Sequence, residues 1–385
     1  MNTEKNVIKL AMISVAVAIA LSACGGGGGD GGSNGSNAGA TQPSTPAVPP
    51  TPGSSTSVPP QTSVPAPTYA SDSPSATIFS KLNAYRQALG VGLMKQDAAL
   101  DKAAIAHANY GLQNVPSRTI SALGHDENAS LPGYTGASPV QRAQVAGAPS
   151  TEWVGEVAFS GYGPVVQTTG ADCANTWLNS VYHLQGVTAN SESMGVGVAT
   201  TVTTPPAGQQ PAMWSFCVLD MGTTTGVPAA PNLSVPTQTN SIPSSGGQQF
   251  ATNLIVHAPY SDEAGVATAL TLGEVPNPAP DLGAPGRPIM VRVNAAAGNT
   301  LTVSNFQLVD NTGAAVSARI LVPQGAVAGS TASVTADPNN GLSPGVAFLL
   351  PLAQLKANTK YTVTFAGARD GSPISTSWSF TTGAQ

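Results

Sequence analysis

Apolar residues recur at helical spacing at Ile78, Phe79, Leu82, Tyr85 and Leu89, and Gly90 then closes the pattern, which predicts a helix ending at that glycine. A second predicted helix carries Leu100, Ala104, His107, Ala108 and Gly111 on one face of an Ala-rich run suited to close packing. Ser138 and Pro139 supply a cap and a first-turn proline for a short helix that Gly147 ends. Ala174, Trp177, Leu178 and Val181 form the stripe of a further helix leading straight to His183. Strand-like runs cover Trp153 to Ser160, Met194 to Thr203 and Met213 to Met221. Helices set before and between strands that must pair antiparallel predict an α+β unit over residues 75–222.

The pattern changes after residue 230. Leu254 to His257, Ile289 to Val293, Leu301 to Leu308, Ala315 to Val322, Ala347 to Leu350, Tyr361 to Phe365 and Thr376 to Thr382 alternate or run apolar between Gly, Pro and Asn turns. This predicts an all-β sandwich over residues 230–385. Leu355, Asn358, Thr359 and Tyr361 resemble the tyrosine-corner segment of Ig-like domains, and Trp378 to Thr382 their closing strand. His257 reads as a packed histidine, and Asp337 to Gly341 as a turn.

Composition supports two loop-rich folded parts. Charged residues make up 9% of the chain, against roughly 25% in ordinary soluble domains, and there are 42 Gly and 33 Pro. A net charge of -5 provides no basic field for nucleic acid, so no nucleic-acid partner is expected.

Residues 1–24 read as an export signal: Lys5 and Lys9 give a positive start, Leu10 to Leu21 an apolar core too short to span a bilayer, and Leu21 to Cys24 a small-residue exit. That exit resembles a bacterial lipobox, which implies acylation of Cys24, a membrane partner and an outer-membrane lipoprotein, since Gly25 stands where a retention Asp would be. Residues 25–74, a Gly run followed by Pro, Ser, Thr and Val repeats, carry no apolar periodicity and are expected to form a disordered tether. Cys173 and Cys217 are most simply one disulfide in an exported chain, with two buried thiols as the other reading.

The candidate chemistry lies in three short stretches: Gly124 to Glu127 (GHDE), Val154 to Val157 (VGEV) and Thr176 to His183 (TWLNSVYH). The chain has four histidines in all, and two of them fall here beside two glutamates. His107 reads as a core or supporting histidine. Read in order, LNAYRQALG, AAIAHANY, GHDE, SPVQRAQVAG, VGEV, TWLNSVYH and MGVGVA resemble the CAP superfamily of cysteine-rich secretory, antigen 5 and pathogenesis-related proteins. The resemblance implies an α-β-α sandwich whose cleft carries two His and two acidic residues and can bind a divalent metal such as Zn²⁺. On it, His125 and His183 match the cleft histidines and metal ligands, and Glu156 matches one acid. The fourth member is open between Glu127 and, as a neutral substitute, Ser180. Gly273 to Pro278 (GEVPNP) resembles a segment found in bacterial CAP proteins with a β tail, and reads as an edge loop without catalytic groups.

Two functional classes follow. One is a binding module holding a divalent metal, a small apolar molecule, an envelope component or a protein. The other is a metal-dependent hydrolase of peptide or cell-wall material, with two imidazoles and one carboxylate as zinc ligands and the second carboxylate as base. Serine hydrolysis lacks a G-x-S-x-G turn, and no phosphate-binding glycine loop or EF-hand is present.

Overall fold

Capping chemistry sets the helix bounds. α1 (Pro74–Leu89) starts where the Ser73 side chain accepts from Ala76 N and ends at Gly90, whose φ of 71° is the left-handed closure expected of a glycine. α2 (Ala98–Asn114) is capped by Asp97, and α3 (Pro139–Ala146) runs between Ser138 and Gly147. The computed structural model describes residues 56–384 apart from 166–168, 205–207, 209, 228–243 and 296–298. The export signal, Cys24 and the tether up to residue 55 lie outside the described residues.

The first sheet has the order β1-β3-β4-β2, from β1 (Lys95–Gln96), β2 (Trp153–Pro164), β3 (Ser193–Thr203) and β4 (Ala212–Thr223). The three long strands pair antiparallel as expected. β1 pairs parallel with β3 and was not foreseen, because two polar residues carry no alternation. Helices cover both faces. Phe79 and Leu82 of α1 and Trp177 of α4 (Thr169–Leu178) pack with Val196, Cys217 and Leu219, while Ala104 and Ala108 of α2 pack on Phe216 and Val218. Cys173 of α4 and Cys217 of β4 form a disulfide.

The helix expected to lead straight to His183 is broken. α4 ends at Leu178, and α5 (Tyr182–Val187) begins afresh. The break has a local cause: the amides of Val181, Tyr182 and His183 donate to the carboxylate of Glu274, so an acid about 90 residues downstream takes the place of a local helix cap.

The all-β region pairs two sheets. β10-β9-β11-β7-β5 comprises β5 (Val256–Ala258), β7 (Ile289–Arg292), β9 (Ala318–Val322), β10 (Val334–Ala336) and β11 (Val346–Pro351). β6-β13-β12-β8 comprises β6 (Glu263–Val266), β8 (Leu301–Asp310), β12 (Lys360–Arg369) and β13 (Ser372–Thr382). Ile289, Val291 and Leu349 from the first sheet meet Phe306, Phe365 and Phe380 from the second. The short strands β6 and β10, each paired in parallel at a sheet end, were not foreseen. Leu254, expected to open a strand, lies before β5 and is exposed. Tyr361 accepts a hydrogen bond from Lys356 N, in keeping with the tyrosine-corner pattern, and His257 stacks on Trp378.

The five-stranded sheet is buried on its other face as well. Met290, Phe348 and Leu350 share one apolar cluster with α1, α4 and α5 residues such as Leu82, Trp177 and Leu184. This explains why β11 reads VAFLLP without alternation. The described residues accordingly form one compact unit.

The expected tether boundary at residue 74 is corrected within the described residues. From residue 56 the chain is laid along the fold as a strap: Val58 exchanges backbone hydrogen bonds with Gly247 and Gln249, the Gln61 side chain donates to Leu93 O and Glu192 O, and Tyr69 donates to Asp101. Single polar anchors, together with Val64 and Tyr69 packed on the core, make this order, and anchors so spaced leave no trace in apolar periodicity.

Candidate functional site

The site lies along β2, the outermost strand of the first sheet, between the 115–138 loop and α5. Alternation along β2 turns Glu156 toward α2 and Val157 toward α4 and α5. Glu156 is buried. Its Oε1 accepts from His125 Nδ1 at 2.9 Å and its Oε2 from Arg142 Nη2 at 2.6 Å. Burial by itself would raise the Glu156 carboxyl, but the charges of Arg142 and His107 and the His125 hydrogen bond hold it below the ordinary carboxylate range.

His107 of α2 lies behind this pair and is fully buried. Its Nδ1 is 2.8 Å from Glu127 Oε1 and its Nε2 is 2.8 Å from Gly124 O, so both ring nitrogens face acceptors. Glu127 also accepts from the amides of Thr135 and Gly136. The acid offered as a fourth cleft member is therefore turned inward: Glu127 braces His107 and the loop that carries His125.

Asp220 stands opposite Glu156 in the β2–β4 register and is fully buried, with no donor to either oxygen among the described residues. Burial, followed by the neighbouring Glu156 carboxylate, pushes its carboxyl well above the ordinary range and favours the protonated form. Burial would lower the Arg142 guanidinium, yet Glu156, Asp220 and Glu127 together keep it raised. Arg142 and Asp220 were missed in the sequence. Arg142 falls among the buried α3 positions Pro139, Val140 and Ala143, and Asp220 shares strand parity with Phe216 and Val218; these were the available signals.

His183, the first-turn residue of α5, reaches the cleft from the opposite face of the sheet. Its Nδ1 lies 3.1 Å from Ser180 Oγ and 3.1 Å from Glu274 Oε1. The Ser180 hydroxyl donates to Thr176 O and Trp177 O, which leaves its lone pairs facing the ring. Ser180 is buried and committed to this bridge, so it is no exposed nucleophile. Glu274, from the segment read as an edge loop without catalytic groups, is the acid that pairs with His183. The Gly/Pro-flanked Glu of GEVPNP was its only sequence signal.

His125 and His183 line two adjoining cavities, of about 420 and 300 Å³. Leu272, Val275 and Phe159 bring apolar surface to the same opening; Leu272 is 67% and Val275 81% exposed. Each cleft imidazole turns Nδ1 to a carboxylate, so Nε2 remains for a ligand. Among the described residues no group of three or more His, Cys, Asp or Glu is arranged to hold a metal ion. The two cleft imidazoles therefore lack the third protein ligand that a catalytic zinc site usually has.

Helices on both faces of an antiparallel sheet, with paired histidines at its edge, define a cleft of the kind the sequence motifs imply. Residues 79–204 match the family model of the Cysteine-rich secretory protein family, CAP, and this part of the chain is a CAP domain. No curated protein matches the chain.

Proposed function

We propose that this protein is a binding module whose CAP cleft holds a ligand with a polar or cation-bearing end and an apolar body. The observation that carries this reading is that the three glutamates of the cleft are already engaged: Glu156 by Arg142 and His125, Glu127 by His107 and two amides, Glu274 by three amides and His183. A metal-dependent hydrolase needs a carboxylate free to take a proton from water, and none of these three is uncommitted. The two Nε2 atoms are suited to a divalent cation or a donor group, and Leu272, Val275 and Phe159 to a small apolar molecule or envelope component.

Zn²⁺ titration of the full chain, followed by calorimetry, tests the cleft. Binding is expected in the wild type and its loss in His125→Ala/His183→Ala. Cleavage of model peptides or muropeptides by the Zn²⁺-loaded wild type, lost in the double variant, would replace this reading with the hydrolase.

We further propose that the protein is exported and anchored to the outer membrane through acylated Cys24, supported by the signal-like residues 1–24. More than one acyl chain, at about 0.8 kcal/mol per buried CH₂, suffices for stable anchoring. Radiolabelled palmitate should enter the wild type; label retained by Cys24→Ala would refute the anchor.

A further inference from the structure

The matched CAP segment ends at residue 204, yet the acid paired with one of its two cleft histidines lies 70 residues beyond that point. We propose that Glu274 is a positioning residue of the cleft, fixing which nitrogen of His183 faces the ligand, so that the site is built jointly by the CAP domain and the all-β region.

The hydrogen-bond pattern carries the argument. Ser180 Oγ has the carbonyls of Thr176 and Trp177 within reach of its one hydrogen, and when it donates to them it turns its lone pairs to the ring. Glu274 Oε1 accepts from the amides of Tyr182 and His183 and is 3.1 Å from His183 Nδ1. Ser180 Oγ is the hydrogen-bond partner of Nδ1, and the Glu274 carboxylate stands beside the same nitrogen as a charge contact. The nearby negative charge favours a neutral His183 with its hydrogen at Nδ1, which leaves the Nε2 lone pair directed away from the acid. Ser180 alone would be a weak director, because its hydroxyl is able to rotate; the carboxylate is fixed by Val181 N at Oε2 and by two amides at Oε1. The same contacts start α5, so one side chain sets both the place and the hydrogen of His183. His125 receives the equivalent treatment from Glu156, an acid inside the CAP domain.

The segment bearing Glu274 is held in register with α5 by further contacts from the all-β region. Tyr182 donates to Asp337 and accepts from Asn339. Asn339 also donates to Asn277 O, three residues after Glu274. Gln185 donates to Gly341 O and accepts from Ser343 N.

The test rests on the cleft reading for one of its two measurements only. Glu274→Ala and the isosteric Glu274→Gln are compared with Asp337→Asn, which weakens the hold on Tyr182 without touching His183. Nitrogen-proton NMR of the full chain, without ligand and with neutral rings, reports which His183 nitrogen carries hydrogen. The expected result is Nδ1 in wild type and Asp337→Asn, and a shift toward Nε2 in Glu274→Ala with His125 unchanged. Zn²⁺ affinity should fall about 10- to 100-fold in Glu274→Ala, the usual effect of losing a carboxylate behind a ligating imidazole, and by a smaller factor in Glu274→Gln. An unchanged His183 ring in both Glu274 variants would overturn the proposal, as would an equal loss of Zn²⁺ affinity in Asp337→Asn. If wild type binds no Zn²⁺, the cation reading fails while the ring measurement still decides the role of Glu274.

Discussion

Arg142 is 1% exposed and sits between two buried acids, with Nη2 2.6 Å from Glu156 and Nε 3.9 Å from Glu127. The interior makes such a charge expensive by itself and makes its partners expensive without it. Arg142→Met removes the cation while keeping most of the stem, and leaves Glu156 and Glu127 with the weaker support of His107 and His125. The expected loss is about 3–5 kcal/mol of folding stability, the range for breaking a buried pair, read from urea unfolding. A loss below about 1 kcal/mol would show that the histidines alone neutralise the acids. His125, Glu156 and His183 were legible because short motifs carry them. Arg142, Asp220 and Glu274 were not, since each is defined by a partner distant in sequence, and a single Arg, Asp or Glu announces no such partner.

α2 lies unusually close to the sheet, and the reason is in β3. A Cβ at Gly195 would come within 2.1 Å of the Leu100 and Asp101 backbone, and one at Gly197 within 2.1 Å of Ala104. Neither glycine has a positive φ, so their role is spatial. The Ala-rich face of α2 and the bare strand fit together, and this brings His107 into reach of Glu127 and Glu156. Gly195→Ala should therefore destabilise the fold by about 1–3 kcal/mol through overpacking, measured by thermal or urea unfolding; an unchanged midpoint would mean the helix can shift at no cost. Helices with local signals were read correctly from Ser138, Gly90 and Gly147. The α4–α5 break escaped because its cap is Glu274, which no local window contains.

Across the whole molecule, one apolar cluster runs from α1 and α4 into β7 and β11. The two folded parts were legible as an α+β unit and a β sandwich, because periods of 3.6 and 2 differ plainly. Their fusion was less so: the unbroken apolar run of β11 and the buried β7 were the only hints that this sheet is covered on both faces. Among the described residues no helix is long and apolar enough to cross a membrane.

The strap of residues 56–73 gives this molecule a mechanical property. Tension applied from the N-terminal side first meets the pair of backbone hydrogen bonds joining Val58 to Gly247 and Gln249, then the Gln61–Gln248 clamp. Force entering the protein is thus taken up in the stretch that leads out of the CAP domain toward the sandwich, and α1 is shielded from being unwound from its first turn.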